Sequence, residues 1–179
     1  MTDITISEDT GLQDILQVER SAFGDRGDEI ADLVSALLTD PSANPLLSLV
    51  ARLDGKPVGH ILFTRADVEG HSISVSLLAP LAVVPEAQGR GIGGALIEEG
   101  CGRLREAGTG LVFVLGHEKY YPRHGFTPAG IHGRQAPYPI PPEHAGAWMV
   151  RELCTGLMGQ IRGTVVCADA IDDPRHWRE

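Results

Sequence analysis

The sequence contains few cysteines, few aromatic residues and fewer basic than acidic side chains. Its 179 residues include 3 cysteines, which lie far apart without a C-x-x-C pair, so that neither a disulfide framework nor a cysteine zinc site is indicated. The 15 basic and 24 acidic residues give a formal net charge of −9. Because nucleic acids and anionic membrane surfaces both attract basic proteins, we expect no nucleic-acid partner and no membrane partner.

Targeting signals and metal-binding patterns are lacking as well. Residues 1–11 have neither the basic start nor the apolar stretch of a secretory leader, and the charge-free run over 72–84 is too short to span a bilayer. We therefore expect a cytoplasmic protein. The histidines lack the short spacing that is typical of zinc ligands, so we expect no metal.

The sequence does contain an alternation of strand and helix patterns that predicts an α/β fold. The expected elements are, in order, a strand over 3–7, helices over 12–22 and 30–38, strands over 46–53, 58–68 and 72–84, a helix over 91–107, and strands over 111–115, 148–153 and 163–166. Strand, helix and strand over 72–115 predict a βαβ crossover, and hence a parallel strand pair within a mixed sheet.

Two further expectations concern the start of the second helix and the C-terminal part of the chain. Asp28 is a candidate N-cap of the second helix. We expect a main domain over 1–153 and a C-terminal extension over 154–179, which holds a short strand and then, from Asp169, a polar and loosely held tail.

A glycine-rich turn joins the strand that ends near Val84 to the following helix. Four of the six residues from Gly89 to Gly94 are glycine, and Gln88 and Arg90 accompany them. Glycines allow a ligand to approach the main chain closely, and the first turn of a helix offers unpaired N–H groups at the positive end of its dipole. This combination is typical of a phosphate site, and the alternative is a tight turn without a ligand.

Two kinds of phosphate ligand are suggested by similar spacings. Gly89, Gly91 and Gly94 match the G-x-G-x-x-G fingerprint of nicotinamide dinucleotide sites, although that fingerprint normally follows its strand directly and opens the domain. Here residues 85–88 intervene and a strand meander comes first. The nucleoside-triphosphate motif G-x-x-x-x-G-K-[ST] is absent from the sequence.

The spacing Gln88-x-x-Gly91-x-Gly93, which follows a strand ending in Leu-Ala-Val-x-Pro-Glu, resembles the acetyl-coenzyme A motif of the GNAT N-acetyltransferase superfamily. The segment from Tyr121 to Phe126 resembles the Y-x-x-x-G-F element of that family, and the order of elements agrees from the first strand to about residue 153. Gly-His at 116–117 and the tyrosine pair before Pro122 are similar to the bacterial YhbS-like acetyltransferases.

The resemblance implies the α/β GNAT fold, a mixed central sheet with a splayed parallel strand pair flanked by helices. In this fold the strand before the glycine loop is bulged, and Pro80 fits such a strand because it has no N–H for a continuous ladder. The resemblance also implies acetyl-CoA as cosubstrate. Its expected binding residues are Leu81, Ala82 and Val83 for the pantetheine arm, and Gln88, Gly89, Arg90, Gly91, Ile92, Gly93 and Gly94 for the diphosphate.

The implied reaction is direct acetyl transfer to a primary amine in a ternary complex. By the resemblance, Tyr121 protonates the departing thiolate; the adjacent Tyr120 lies five residues before Gly125, where the motif needs four. An alkyl amine with a pKa of about 10.4 is rarely neutral at pH 7, so that a base is useful. Many relatives carry a glutamate on the strand before the loop, which residues 72–84 lack, and His117 is our substitute. A surface histidine, a water chain or binding of the neutral amine are the alternatives.

Acceptor and assembly are less defined by the sequence. The acceptor is a small-molecule amine or a protein amino group, the acidic composition favours a cationic amine, and a homodimer is compatible with the resemblance. Pro137, Tyr138 and Trp148 serve either as an apolar acceptor wall or as scaffold. Because the strand glutamate is missing, a non-catalytic acyl-CoA-binding sensor domain is the alternative function.

Overall fold

The computed structural model describes residues 3–157 and 159–178, which form a mixed nine-stranded sheet with three α-helices. The strands are β1 (Ile4–Glu8), β2 (Leu47–Leu53), β3 (Lys56–Val68), β4 (Val75–Val83), β5 (Leu111–Leu115), β6 (Thr127–Pro128), β7 (Arg134–Gln135), β8 (Trp148–Glu152) and β9 (Gly163–Val166). The helices are α1 (Leu12–Phe23), α2 (Gly27–Leu38) and α3 (Ile92–Glu106). No described helix is long and apolar enough to cross a membrane.

The central sheet has the strand order β1-β2-β3-β4-β5-β8-β6, and β9 pairs with β3 and β7. The β4–β5 pair is parallel and is connected through α3, which confirms the predicted βαβ crossover within a mixed sheet. The other neighbours along that order are antiparallel. The predicted α/β architecture is therefore confirmed.

A bulge and a gap distinguish the C-terminal half of β4. Against β3, Leu78 lies opposite Phe63 and Leu81 opposite Ile61, so that β4 contains one extra residue between these pairs, next to Pro80. The β4–β5 ladder covers 75–78 only, and within the described residues β4 continues to Val83 without a partner on that side. The two parallel strands are therefore splayed, as the resemblance implied.

Alternate residues of the strands point to opposite faces of the sheet, and an apolar layer covers each face. Ile61 and Phe63 of β3 face the layer that includes α3, whereas Leu62 faces the layer of α1 and α2. Gly100 of α3 lies so close to the Phe63 ring that a Cβ there would overlap it. The helix therefore sits tightly on the sheet and holds its N-terminus near the end of β4.

Two local expectations are wrong. Asp28 does not cap α2, which begins one residue earlier at Gly27; its carboxylate instead accepts a hydrogen bond from the Arg20 side chain of α1 at 3.2 Å. The tail from Asp169 is not loosely held, because Trp177 is 2% exposed and packs edge-on against Trp148. The segment from Asp169 is polar overall, and its few apolar side chains make these packing contacts.

A buried hydrogen-bonded chain joins α1 to the sheet. The His60 ring contacts the Glu19 carboxylate through Nδ1 at 2.6 Å and the Ser48 hydroxyl through Nε2 at 2.8 Å. The exposed fractions of the three residues are 0% for Glu19 and His60 and 3% for Ser48. This chain is closed to solvent, so it fixes the packing of α1 and is not accessible to a substrate.

Candidate active site

A cleft of about 620 Å³ opens at the splayed end of β4. Its walls are the end of that strand, the glycine-rich loop with the first turn of α3, and the segment that follows β5 and includes the 3-10 helix Tyr121–His124. The lining residues are Leu81, Val83, Ala87, Gln88, Gly89, Gly91, Ile92, Gly93, Gly94, His117, Tyr120, Tyr121, Arg123 and His124.

The loop before α3 has the backbone geometry of an open anion site. Gly91, the N-cap of α3, has φ +80°, and Gly89 has φ +78°, which is a conformation that residues with a side chain rarely adopt. Apart from the adjoining residues, no heavy atom of the described chain lies within 4 Å of the place where a Cβ would stand at either position. The first N–H groups of α3 have no intrahelical acceptor, so this open space adjoins free donors.

Gln88 closes the loop onto the strand that precedes it. Its side-chain amide donates a hydrogen bond to the carbonyl oxygen of Val83 at 3.0 Å. The side chain thus holds the end of β4 against the loop. Gln88 also lines the cleft, so its side-chain amide is a positioning contact within the cleft wall.

The other two glycines of the loop meet side chains from the opposite wall. A Cβ at Gly93 would overlap the Tyr120 hydroxyl, and a Cβ at Gly94 would lie 2.7 Å from the His124 ring. Gly93 and Gly94 therefore allow the segment 120–124 to approach the start of α3 closely, which narrows the cleft at this point.

Tyr121 lies at the edge of the gap between β4 and β5. Its ring packs edge-on against Phe126 and Tyr120 and directly against Gly116, where a Cβ would overlap the ring. The side chain is 7% exposed, and its hydroxyl forms no hydrogen bond within the described residues. Burial raises the pKa of Tyr121 well above its ordinary value, with a smaller effect of Tyr120. The phenol therefore keeps its proton at neutral pH and lines the cleft with a free donor.

His117 lies two residues beyond β5 and lines the same cleft. It is exposed, and its backbone carbonyl accepts hydrogen bonds from the N–H groups of Tyr120 and Tyr121. This turn places the histidine and the buried tyrosine on one wall. As the sequence shows, β4 carries no carboxylate.

Two of the expected binding residues do not line the cleft with their side chains. Ala82 is buried on the sheet, opposite His60, and Arg90 is exposed outside the lining. Conversely, Arg123 and His124 line the cleft and were not among the expected binding residues. They belong to the Y-x-x-x-G-F segment, in which the residues between tyrosine and glycine have no prescribed identity. Only the contact of this segment with α3 reveals them.

Tyr138 and Trp148, two of the residues considered for an apolar acceptor wall, have different environments. Trp148 is 3% exposed, stacks on Phe113 and donates its indole N–H to the Arg134 carbonyl, so it belongs to the core. Tyr138 is half-buried and donates its hydroxyl hydrogen to Asp172 at 2.8 Å. Neither residue lines the cleft described above.

Metal ligation has no candidate in the described part of the chain. No group of three or more histidine, cysteine, aspartate or glutamate side chains there is arranged to hold a metal ion. The polar groups of the cleft residues are two tyrosine hydroxyls, two imidazoles, one guanidinium group, the Gln88 amide and backbone N–H donors, and these are suited to an anionic organic ligand.

Comparisons with known proteins agree with one another. The family model described as "Acetyltransferase (GNAT) domain" matches residues 45–128. The chain is 53% identical over 167 residues to an Escherichia coli K12 protein named uncharacterized N-acetyltransferase YjhQ, which covers 92% of this chain and 91% of that protein. It is 32% identical over 120 residues to the protein named uncharacterized N-acetyltransferase YhbS of the same organism, which covers 66% and 70% of the two chains.

Two solved structures of other proteins that contain the coenzyme are also similar to this chain. The YhbS structure from Escherichia coli in complex with CoA has a TM-score of 0.84 at 28% identity and covers 96% of this chain and 92% of that one. A GNAT family acetyltransferase from Brucella melitensis in complex with acetyl-CoA has a TM-score of 0.74 at 29% identity and covers 95% and 99%.

Proposed function

The chain belongs to the GNAT acetyltransferase family, and from this premise we propose that it transfers an acetyl group from acetyl-CoA to a primary amine. The acceptor is a small-molecule amine or a protein amino group, and transfer is direct within a ternary complex. One observation carries this proposal. The unpaired end of β4 leads into an open glycine loop, and the free Tyr121 hydroxyl lines the same cleft.

The cleft has suitable groups for each part of the coenzyme. Among the described residues, the backbone groups of 81–83 have no strand partner on the β5 side, so they are available to the amides of the pantetheine arm. The loop and first turn over 88–94 offer N–H donors at the positive end of the α3 dipole to the diphosphate. When bound, acetyl-CoA supplies the acetyl group as a thioester.

Tyr121 is the proposed acid of the reaction. Its hydroxyl oxygen keeps a proton because burial disfavours the phenolate, and it has no competing acceptor among the described residues. The phenol donates this proton to the departing sulfur as the carbon–sulfur bond breaks, so that a neutral thiol leaves instead of a thiolate.

His117 is the proposed base. It lies on the wall that also carries Tyr121 and is open to solvent, so its imidazole can accept the proton that the amine releases as the carbon–nitrogen bond forms. A backbone N–H near Val83 is the proposed donor to the oxygen of the reacting carbonyl, where negative charge develops. The absence of a carboxylate on β4 gives His117 this role.

That same absence favours one alternative, a sensor domain that binds acyl-CoA without turnover. One experiment distinguishes the acetyltransferase from the sensor domain. Acetyl-CoA binding is measured by calorimetry, and CoA release is measured with a panel of small amines and peptides that carry free amino groups. We expect binding and amine-dependent release. Tight binding without release on any acceptor would favour the sensor, and displacement of acetyl-CoA by NAD at similar concentration would contradict the assigned ligand.

A further inference from the structure

The wall of the cleft that faces the glycine loop carries three polar side chains from one short segment. Tyr120, Arg123 and His124 all line the cleft. The Tyr120 hydroxyl touches the first turn of α3 at Gly93, and the His124 ring lies beside Gly94. These side chains therefore stand within the region in which the free N–H groups of the helix are exposed.

Arg123 differs from most arginines of this acidic chain because it has no carboxylate partner among the described residues. Its guanidinium carbon instead lies 5.3 Å from the centre of the Tyr120 ring, within the range of a cation–π contact. The Tyr120 ring is in turn 5.0 Å from the His124 ring. The guanidinium group thus lies over an aromatic ring, and its N–H groups donate no hydrogen bond to another described residue.

The carboxylate of Glu98, which interacts electrostatically with His124 of this segment, already has a basic partner. Glu98 of α3 accepts a hydrogen bond from the Arg151 side chain at 2.8 Å. That contact lowers the pKa of the Glu98 carboxyl, with a smaller effect from His124. Because Glu98 is already neutralised by Arg151, it does not serve as the partner of Arg123.

We propose that Arg123, supported by the Tyr120 ring, binds a phosphate group of the coenzyme on the wall opposite the glycine loop. The proposal rests on acetyl-CoA as the ligand of the cleft. A planar guanidinium offers parallel N–H donors that match phosphate oxygens, and an arginine on an aromatic ring loses little freedom when it binds. The coenzyme then has donors on both walls, which are the backbone amides of the loop and the side chain of Arg123.

The test compares the affinities of CoA and dephospho-CoA, which lacks the 3′-phosphate, by calorimetry at two salt concentrations. The variants are Arg123→Gln, Tyr120→Phe and Tyr120→Leu. Arg162→Gln is the matched control, because it removes one exposed positive charge near β9. We expect Arg123→Gln to weaken CoA binding about tenfold and to reduce its salt dependence, in keeping with the loss of a charged hydrogen bond.

The Tyr120 variants test the aromatic support. Tyr120→Phe keeps the ring and is expected to bind CoA like the wild type, whereas Tyr120→Leu is expected to weaken binding as Arg123→Gln does. A loss in Arg123→Gln for CoA alone identifies the 3′-phosphate as the bound group, and an equal loss for both ligands identifies the diphosphate. An affinity equal to that of Arg162→Gln, or a weaker affinity with unchanged salt dependence, would overturn the proposal. Failure of the wild type to bind CoA would instead refute the proposed function.

Discussion

Tyr121 combines three properties that bear on its proposed role. It is almost completely buried, it lines a cleft, and its hydroxyl has no partner among the described residues. Gly116 makes this possible, because any larger residue would displace the ring. Burial keeps the proton on this phenol at neutral pH, and because no described residue accepts it, the proton is available to a thiolate that forms in the cleft.

Removing this hydroxyl is expected to affect turnover more than binding. We predict that Tyr121→Phe lowers kcat about 10²-fold, the usual size of acid catalysis, while the Kd for acetyl-CoA stays within a factor of two to three of the wild type. Tyr120→Phe is the control, since it removes a neighbouring hydroxyl that the proposed chemistry does not use. Steady-state kinetics and calorimetry measure the two quantities. An unchanged kcat, with chemistry shown to limit the rate, would remove Tyr121 from the acid role.

The raised pKa of Tyr121 gives a second prediction at this scale. Because burial shifts the pKa upward from the ordinary value of 10.0, the protonated form persists to higher pH than that of a free phenol. The loss of this acid therefore contributes no fall in kcat below pH 10. Ultraviolet absorbance of tyrosinate, compared between wild type and Tyr121→Phe, follows the group directly. A difference in ionised tyrosine between the two proteins well below pH 10 would contradict the burial argument.

At the scale of elements, α1 is attached to the sheet by polar as well as apolar contacts. Its Glu19 carboxylate is buried, burial raises its pKa, and one of its oxygens, Oε2, has no hydrogen-bond partner in the described structure. The other oxygen contacts His60 on β3, which also reaches Ser48 on β2. One imidazole thus connects three elements, and its loss affects all of them.

We predict that His60→Leu lowers the free energy of unfolding by about 3–5 kcal/mol, because it leaves Glu19 buried and without its partner. The double variant Glu19→Leu/His60→Leu removes both polar groups and is expected to lose less than the sum of the two single variants. Urea unfolding followed by circular dichroism measures each value. A loss below about 1 kcal/mol in His60→Leu would show that the contact contributes little.

Helix α3 offers a matched pair of glycines. Gly102 has open space at its Cβ position, whereas a Cβ at Gly93 would overlap the Tyr120 hydroxyl. Gly102→Ala is therefore expected to stabilise the protein by about 0.5–1 kcal/mol and to leave CoA binding unchanged. Gly93→Ala is expected to displace Tyr120 and to weaken CoA binding. Thermal unfolding and calorimetry measure the two effects, and equal behaviour of the variants would argue against the close approach of Tyr120 to α3.

The sequence predicts these elements well where a local pattern determines them. The strand over 111–115 and the alternation along β3 follow from apolar periodicity, and the start of α3 follows from the glycines before it. The cap of α2 was missed because the helix continues from a 3-10 turn over 24–26 and begins at Gly27, so that Asp28 already lies inside it. Arg123 was missed because its position matters only once its segment folds onto α3.

At the scale of the whole molecule, the C-terminal extension is integrated into the main body. Val165 of β9 pairs with Val68 of β3, and the backbone N–H of Ala170 donates to Asp40 after α2. Trp177 completes this attachment by packing edge-on against Trp148, which also stacks on Phe113. The polar composition of the segment concealed these contacts, because a few well-placed apolar residues are sufficient to hold it.

We therefore expect Trp177, which attaches this segment to the main body, to contribute to the free energy of unfolding. We predict that Trp177→Ala lowers the free energy of unfolding by about 3–5 kcal/mol, the usual range for a buried large aromatic side chain, and that Trp177→Phe lowers it by less. Urea unfolding measures both values. A Trp177→Ala protein as stable as the wild type would show that the segment is not fixed by this residue.

The pairing of Trp148 with Trp177 has a practical consequence for spectroscopy. These are the 2 tryptophans of the sequence, their ring centres are 5.6 Å apart, and neither lines the cleft. Intrinsic indole fluorescence of this protein therefore reports from one place. Its emission is expected to shift to the red when the C-terminal segment detaches, and a bound coenzyme in the cleft will be observed best with an added label or by calorimetry.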